Sequence, residues 1–293
     1  MDATGKVAAM TGPKNGRQRS QLGRRIAMSI VAFWIVIAIS APLLAPYSQG
    51  AILSPESFSF AKDASILGTD YMGRDLLSRL IYASRSTLGF ALVACLIAFP
   101  TGVSLGFIAA LSGEGSILDQ LLSRVVDILM SFPALIMALV VLGTIGTSNV
   151  AVLAIVAVVE ATRVYRLARA LGLDISVMDF VAVSRARGEG PIWIAAFDLL
   201  PNSLGPLAAE FGLRYTYAIL LISSLSFLGL GVQPPSADWG IMVQENIQGL
   251  VYGSPAALIP AFCIASVTVG INLLVDDLIH RTNIRIPQEL SGE

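Results

Sequence analysis

Glu160 and Arg163 stand three residues apart inside one apolar run, and Glu210 and Arg214 stand four apart near the start of another. Carboxylates and guanidinium groups in such surroundings are costly, so each must find a partner or mark a functional position. The i,i+3 and i,i+4 spacings put both partners on one helix face, so both sets are expected to form local ion pairs. Arg163 is expected to reach toward one membrane face while pairing with Glu160. Other chemistry is scarce. A single histidine, His280, lies beyond the last apolar run. It offers neither a zinc-binding HExxH nor a Ser-His dyad, and it reads as a headgroup-level residue at a helix end. No GxxxxGK[ST] loop occurs to hold nucleotide phosphates. The fragments Ser112-Gly113-Glu114 and Ser291-Gly292-Glu293 resemble pieces of an ATPase signature, but they carry no meaning without a nucleotide domain. Cys95 and Cys263 both sit inside apolar runs and read as small core hydrophobes. The residues therefore propose no catalytic site and no metal site.

The elements that position these groups follow from composition. Of 293 residues, 55% are hydrophobic and 13% charged, about half the charge of an ordinary soluble domain. That is a membrane protein, and the near-neutral net charge of −1 gives no sign of nucleic-acid binding. Six runs are long enough to cross the bilayer: Ile26–Ala45, Ser86–Leu111, Val126–Ile145, Val150–Leu167, Leu204–Gly231 and Pro255–Val275. The first follows Arg24-Arg25, yet Pro42 and Pro46 spoil a signal-peptide cleavage pattern, so it reads as a retained anchor. Gly146-Thr147-Ser148-Asn149 reads as a tight turn between the third and fourth runs. Lys and Arg flank the runs unevenly, fourteen on one side against four on the other. The positive-inside bias then places both termini and the 168–203 segment in the cytoplasm.

Between the fourth and fifth runs lies "DFVAVSRARGEGPIWIAAFDLLPN", Asp179–Asn202. Asp179 can cap a helix of about two turns, Gly188 can end it with a positive φ, and Pro191 suits the first turn of the next. Phe180, Val183 and Arg187 would share one face. Two readings fit: a helix resting on headgroups, or a docking knob for a soluble partner. On the opposite side, Leu67–Gly89 alternates Asp70 and Asp75 with Arg74 and Arg79. It reads as an amphipathic helix lying across the outer mouth with an Asp75–Arg79 pair, either solvated or in contact with a delivering partner or the pore rim. Gly102 and Gly106 are spaced for close helix contact. Gly229 and Gly231 loosen the end of the fifth run, and Trp239 in the loop beyond reads as an interfacial tryptophan. With Glu160, these three are candidate pore or gating residues, because irregular backbone at membrane depth lines cavities or is buried in protein.

The stretch Asp179–Gly188, followed by Leu200-Pro201-Asn202, resembles the coupling loop of bacterial ATP-binding-cassette importer permeases, in particular the C-type subunit of the dipeptide/oligopeptide permease family. "LGTDYMGRDLLSRLIYASRSTLG" (Leu67–Gly89), "SFPALIMAL" (Ser131–Leu139), "LSFLGLGVQPPSADWGIM" (Leu225–Met242) and "NLLVDDL" (Asn272–Leu278) resemble further blocks of that family, in order. Two positions depart from it. Ala182-Val183-Ser184 stands where the family has E-A-A, and Ile222 stands where it tends to have Glu. The resemblance implies an all-α membrane protein with six transmembrane helices in the type I importer fold. It implies a cytoplasmic tail over 1–25, a first helix and external segment over 26–85, the permease domain over 86–278 and a tail over 279–293. It further implies a place in the bacterial plasma membrane, and a pore half that pairs with a B-type permease chain, two ATPase subunits that hold the ATP, and an extracytoplasmic binding protein. This chain would carry no cofactor. Asp179, Phe180, Ala182, Ser184, Arg185, Ala186, Gly188 and Pro201 would couple it to the ATPases. A self-sufficient secondary transporter or channel is the alternative from a different class, and it would rest on Glu160 alone.

Overall fold

The computed structural model describes residues 14–59, 65–233 and 236–283. Lys62, Pro234-Pro235, most of the N-terminal tail and the end of the C-terminal one lie outside these residues, as does the side chain of His280. Among the described residues the chain is helical, with only two isolated β-bridges, both between the segment after the first helix and the turn before the second.

The described residues form ten α-helices: α1 Lys14–Leu44, α2 Leu76–Leu111, α3 Ile117–Ser131, α4 Ala134–Ile145, α5 Asn149–Ser176, α6 Asp179–Ala186, α7 Pro191–Trp193, α8 Leu200–Phe227, α9 Trp239–Asn246 and α10 Leu258–Asn283. A π-helical turn, Ile194–Leu199, joins α7 to α8. Pro201 explains that turn, because it has no N–H for the carbonyl a turn earlier. The Leu200 N–H reaches back to the Ala195 carbonyl, one residue beyond the α-helical register.

Among the described residues four stretches are long and apolar enough to cross a membrane: Gly23–Leu44, Leu76–Leu111, Pro191–Phe227 and Leu258–Ile279. The expected third run is not one rod. It is the pair α3 and α4, bent by 88°, because Pro133 forces Phe132 out of the helical region to ψ 139°. The expected fourth run lies in α5, which has the length, but Glu160, Arg163 and Arg166 interrupt its apolar stretch.

The α2–α5 pair is the most extensive helix–helix packing among the described residues. A Cβ on Gly102 would lie 2.8 Å from the Ala161 carbonyl oxygen, and one on Gly106 would lie 2.8 Å from the Tyr165 carbonyl oxygen. Only glycine lets the two backbones approach this far. The main core gathers Trp34, Leu76, Leu142, Val156, Ile222 and Trp239, while a smaller one around Phe107, Ile175, Val181, Ile194 and Leu199 lies at the α6 end. Cys95 and Cys263 are both free and buried.

Leu67–Gly89 departs from expectation. Its helical part is the start of α2, continuous with the membrane run, and Asp75 is the N-cap, accepting from the Ser78 N–H at 2.8 Å and the Ser65 hydroxyl at 2.8 Å. Asp75 therefore does not pair with Arg79. Arg79, only 4% exposed, instead binds Asp70 and the Glu245 carboxylate of α9 at 2.9 Å. Arg74 bridges the same two acids at 2.7 and 3.2 Å. The segment is a buried ionic clamp between the turn before α2 and α9, and no solvated surface helix.

Candidate functional site

The α6 segment is the most completely specified local structure in the chain. Met178, with extended backbone, is the N-cap, and it makes no side-chain cap. Asp179 is thus the first helical residue and not the cap, and it acts through its charge at the positive end of the helix dipole. At the other end the Gly188 N–H donates to the Arg185 carbonyl at 3.0 Å, and the Glu189 N–H donates to the Ser184 carbonyl at 3.2 Å. Gly188 sits at φ +83°. Those two bonds with a left-handed glycine form a Schellman motif.

The helix divides into two faces. Val181 and Ser184 are buried against the small core. Phe180 and Val183 are 39% and 57% exposed, and Ala182, Arg185 and Ala186 are exposed beside them. Val177, Met178 and Ile192 continue the exposed apolar surface. Arg187 lies 5.4 Å over the Trp193 ring, and Trp193 packs on Phe197 at 5.1 Å. The contact ties α6 to α7 across the Gly188 turn. Pro201 is set apart from this face, in the first turn of α8, and its evident work is the register change already described.

The candidate pore residues separate into two places. Glu160 is buried between helices, but its partner is not Arg163. Arg214 from α8 takes it at 3.4 Å and also takes Glu210 at 2.7 Å. Arg163 lies 5.5 Å over the ring of Tyr217, which Arg214 also faces at 4.8 Å. Gly229, Gly231 and Trp239 gather at the α8–α9 turn. Gly229, at φ +82°, ends α8 in a second Schellman motif, with bonds from Gly229 N–H to Ser226 and from Leu230 N–H to Leu225. A Cβ on Gly231 would collide with the Ser226 hydroxyl at 1.9 Å. Trp239 is neither interfacial nor open to a path. It is fully buried, donates from its indole N–H to the Leu80 carbonyl at 3.2 Å, and packs edge-on against Trp34 at 4.8 Å. Next to it Asp238 caps α9, accepting from Ser226 Oγ at 2.6 Å and from the Gly240 and Ile241 amides at 2.7 and 3.1 Å. Burial pushes this carboxyl up to about 6, against the pull of those three donors. Ile222, where the resembled family tends to have Glu, is fully buried in the main core. Among the described residues there is no cluster of side chains suited to a metal.

The comparisons with known proteins meet this geometry from the other direction. Residues 102–284 match the family described as "Binding-protein-dependent transport system inner membrane component". The chain is 33% identical over 263 residues to the dipeptide transport system permease protein DppC of Escherichia coli K12, covering 87% of each chain. It is 32% identical over 266 residues to the di/tripeptide transport system permease protein DppC of Pseudomonas aeruginosa, covering 89% of this chain and 86% of that one. It is 30% identical over 262 residues to DppC of Haemophilus influenzae, covering 87% and 88%. An exposed knob clamped to a helical membrane body, together with a family match over more than half of the chain, leads to one conclusion: the chain belongs to the binding-protein-dependent inner membrane components, and it is a permease subunit of an ATP-binding-cassette importer rather than an enzyme.

Proposed function

We propose that this permease is the C-type half of a heterodimeric pore for di- or oligopeptides, with α6 as the lever through which its ATPases act. The cargo reading rests on the names of the relatives, which are dipeptide and di/tripeptide permeases. On this reading the complete importer contains one B-type permease chain, two ATPase subunits that bind the ATP, and an extracytoplasmic binding protein. Six spans result when bent α3–α4 counts as one and α5 as another, its Glu160 being met by Arg214 of α8 and its Arg166 by Asp127 of α3. Both termini and α6 then face the cytoplasm, consistent with the fourteen-to-four bias of Lys and Arg.

The observation that carries the coupling role is the division of α6 into a buried anchor face and an exposed apolar face. The Schellman stop and the stacked Arg187–Trp193 contact hold its direction. A helix that receives force needs both. ATP-driven closure of the ATPases would displace α6, and the helices joined to it would rock between inward-open and outward-open states.

Truncating Phe180 and Val183 to alanine tests this, because neither side chain supports the small core. The double variant should insert and pair with the second permease, yet retain the ATPases poorly on co-purification. Each anchor, when buried by a partner, contributes on the order of 1.5–3 kcal/mol. Normal ATPase retention and normal uptake would defeat the coupling role. Gradient-driven uptake by the chain alone would favour the self-sufficient transporter.

A further inference from the structure

α4 begins without a cap. Pro133 precedes it, no side chain caps it, and the first-turn amides of Ala134, Leu135 and Ile136 find no backbone acceptor. On the six-span reading the bent α3–α4 pair crosses the membrane, which sets these donors at membrane depth. Ser131, Phe132 and Pro133 beside them are exposed. Lipid offers such donors no partner, and broken backbone at that depth is tolerated only against protein or water.

The first turn of α4, through Leu135, borders a cavity of about 620 Å³ between α4, α8, α9 and α10. The lining carries no charged side chain and three hydroxyls, those of Ser223, Ser224 and Thr268. Ser224 donates to the Leu220 carbonyl at 2.7 Å and Thr268 to the Ile264 carbonyl at 2.9 Å. That is the usual resort of a hydroxyl inside a helix. Ser223 does otherwise. It is 7% exposed, and its hydroxyl is buried without a hydrogen-bond partner. α9 packs directly on its backbone, since a Cβ on Gly240 would lie 2.3 Å from the Ser223 carbonyl oxygen. A buried hydroxyl left unpaired is destabilising, and a bound acceptor removes that cost.

We propose that the uncapped start of α4 and the Ser223 hydroxyl together form a carboxylate-binding site, and that it takes the terminal carboxylate of a passing peptide. That the carboxylate belongs to a peptide rests on the peptide-cargo reading; the site itself does not. A helix start presents free N–H groups and the positive end of the dipole to an anion. Half-helix starts at membrane depth meet the anionic groups of transported solutes in this way. Ser223 adds an O–H donor, and the apolar walls accommodate the rest of the ligand. A cation would face the same positive end and find no acidic side chain in the lining.

Thiol protection in the detergent-purified importer tests this. Leu135→Cys, in a chain carrying Cys95→Ala and Cys263→Ala, puts a thiol at the cavity wall. Leu220→Cys, also in the lining, serves if Leu135→Cys does not assemble. The thiol should react faster with a sulfonate-bearing thiosulfonate than with a quaternary-ammonium one. Alanylalanine should slow that reaction at about tenfold lower concentration than its C-terminal amide. Ser223→Ala removes no hydrogen bond of the fold, so it should assemble normally. It should raise the protecting concentration of alanylalanine about tenfold and leave that of the amide nearly unchanged. A thiol that neither reagent reaches means that lipid or the second permease covers the bend, and it overturns the proposal. Equal protection by acid and amide overturns it too, as does protection unmoved by Ser223→Ala. Propionate, a carboxylate without a peptide bond, should protect with the same sensitivity to Ser223→Ala. If it does so in an importer that takes up no peptide into vesicles, the cargo reading fails and the site stands.

Discussion

Replacing Gly188 tests the lever directly, because the cost can be assigned to a single cause. At φ +83° a Cβ on Gly188 would meet no heavy atom within 4 Å, so crowding contributes nothing. The penalty is the left-handed backbone itself, about 1–2 kcal/mol for an ordinary residue and more for a β-branched one. Asparagine tolerates that region and is the usual substitute at this position of a Schellman motif. α6 has eight residues, too few to be stable without tertiary contacts, and it is anchored chiefly by Val181 and Ser184. A loss of about 2 kcal/mol should therefore reduce the ratio of correctly set to unset α6 about thirtyfold. The six proposed spans are untouched. Co-purification of the ATPases and binding-protein-dependent uptake should rank wild type near Gly188→Asn, then Gly188→Ala, then Gly188→Val. If Gly188→Val retains ATPases and transports like the wild type, α6 is either held far more firmly than two buried side chains explain or is not the coupling element.

Three further outcomes follow. Arg79→Ala leaves Asp70 and Glu245 buried with one cation in place of two, and should destabilise the detergent-purified protein by about 3–5 kcal/mol, more than Arg74→Ala at the more exposed partner; equal shifts in melting temperature would contradict the clamp. Asp238 titrates at about 6 in the fold against 3.8 in an exposed carboxyl, so the folded state binds more protons between those values. Its contribution must fall as pH rises from about 4 to 6 and level off above, and Asp238→Asn should remove that slope from a melting series; an identical slope in both proteins would refute the assignment. A cysteine at exposed Ser57 should be labelled from outside intact cells and one at exposed Val183 only after lysis; the reverse pattern overturns the orientation.

What the sequence disclosed depended on whether a residue's partner is local. The end of α6 could be read because a Schellman motif needs only Gly188 and the carbonyls a few residues before it. The Pro133 break was readable by the same local rule, but the unbroken hydropathy of Val126–Ile145 concealed it. Ion pairing was misread wherever the real partner is distant. Spacing offered Arg163 to Glu160 and Asp75 to Arg79, while the fold supplied Arg214 from α8 and Glu245 from α9. Trp239 failed for the same reason. Its amphipathic ring suits an interface, and only the fold brings Trp34, Leu80 and Thr87 around it. Tyr217 lies under Arg214 of its own helix at 4.8 Å, a local i,i+3 pairing that was overlooked, and only the fold adds Arg163 of α5 at 5.5 Å.

The same contacts bear on how a push at α6 would travel. α6 follows α5 after two residues and precedes the α7–α8 segment after four, so both neighbours feel its displacement through short, bonded links. α5 cannot slide on α2, because Ala168 sits where a Gly106 side chain would be and Ala110 where a Gly172 side chain would be. Interlocked backbones of this kind move as one body. α5 and α8 are joined across the membrane by the Glu160–Arg214–Glu210 set, whose separation would strand charge in a dry interior. The Phe227 end of α8 is in turn fixed to α9 through Ser226 and Asp238. The proposed stroke is therefore a rigid rotation of α2, α5 and α8 together, with compliance left to the exposed bend at Phe132-Pro133, which lacks such ties. Loosening the Glu160–Arg214 tie would waste the stroke between α5 and α8 even with α6 and its ATPases perfectly docked, so Glu160→Gln should lower uptake while leaving ATPase retention near the wild-type level.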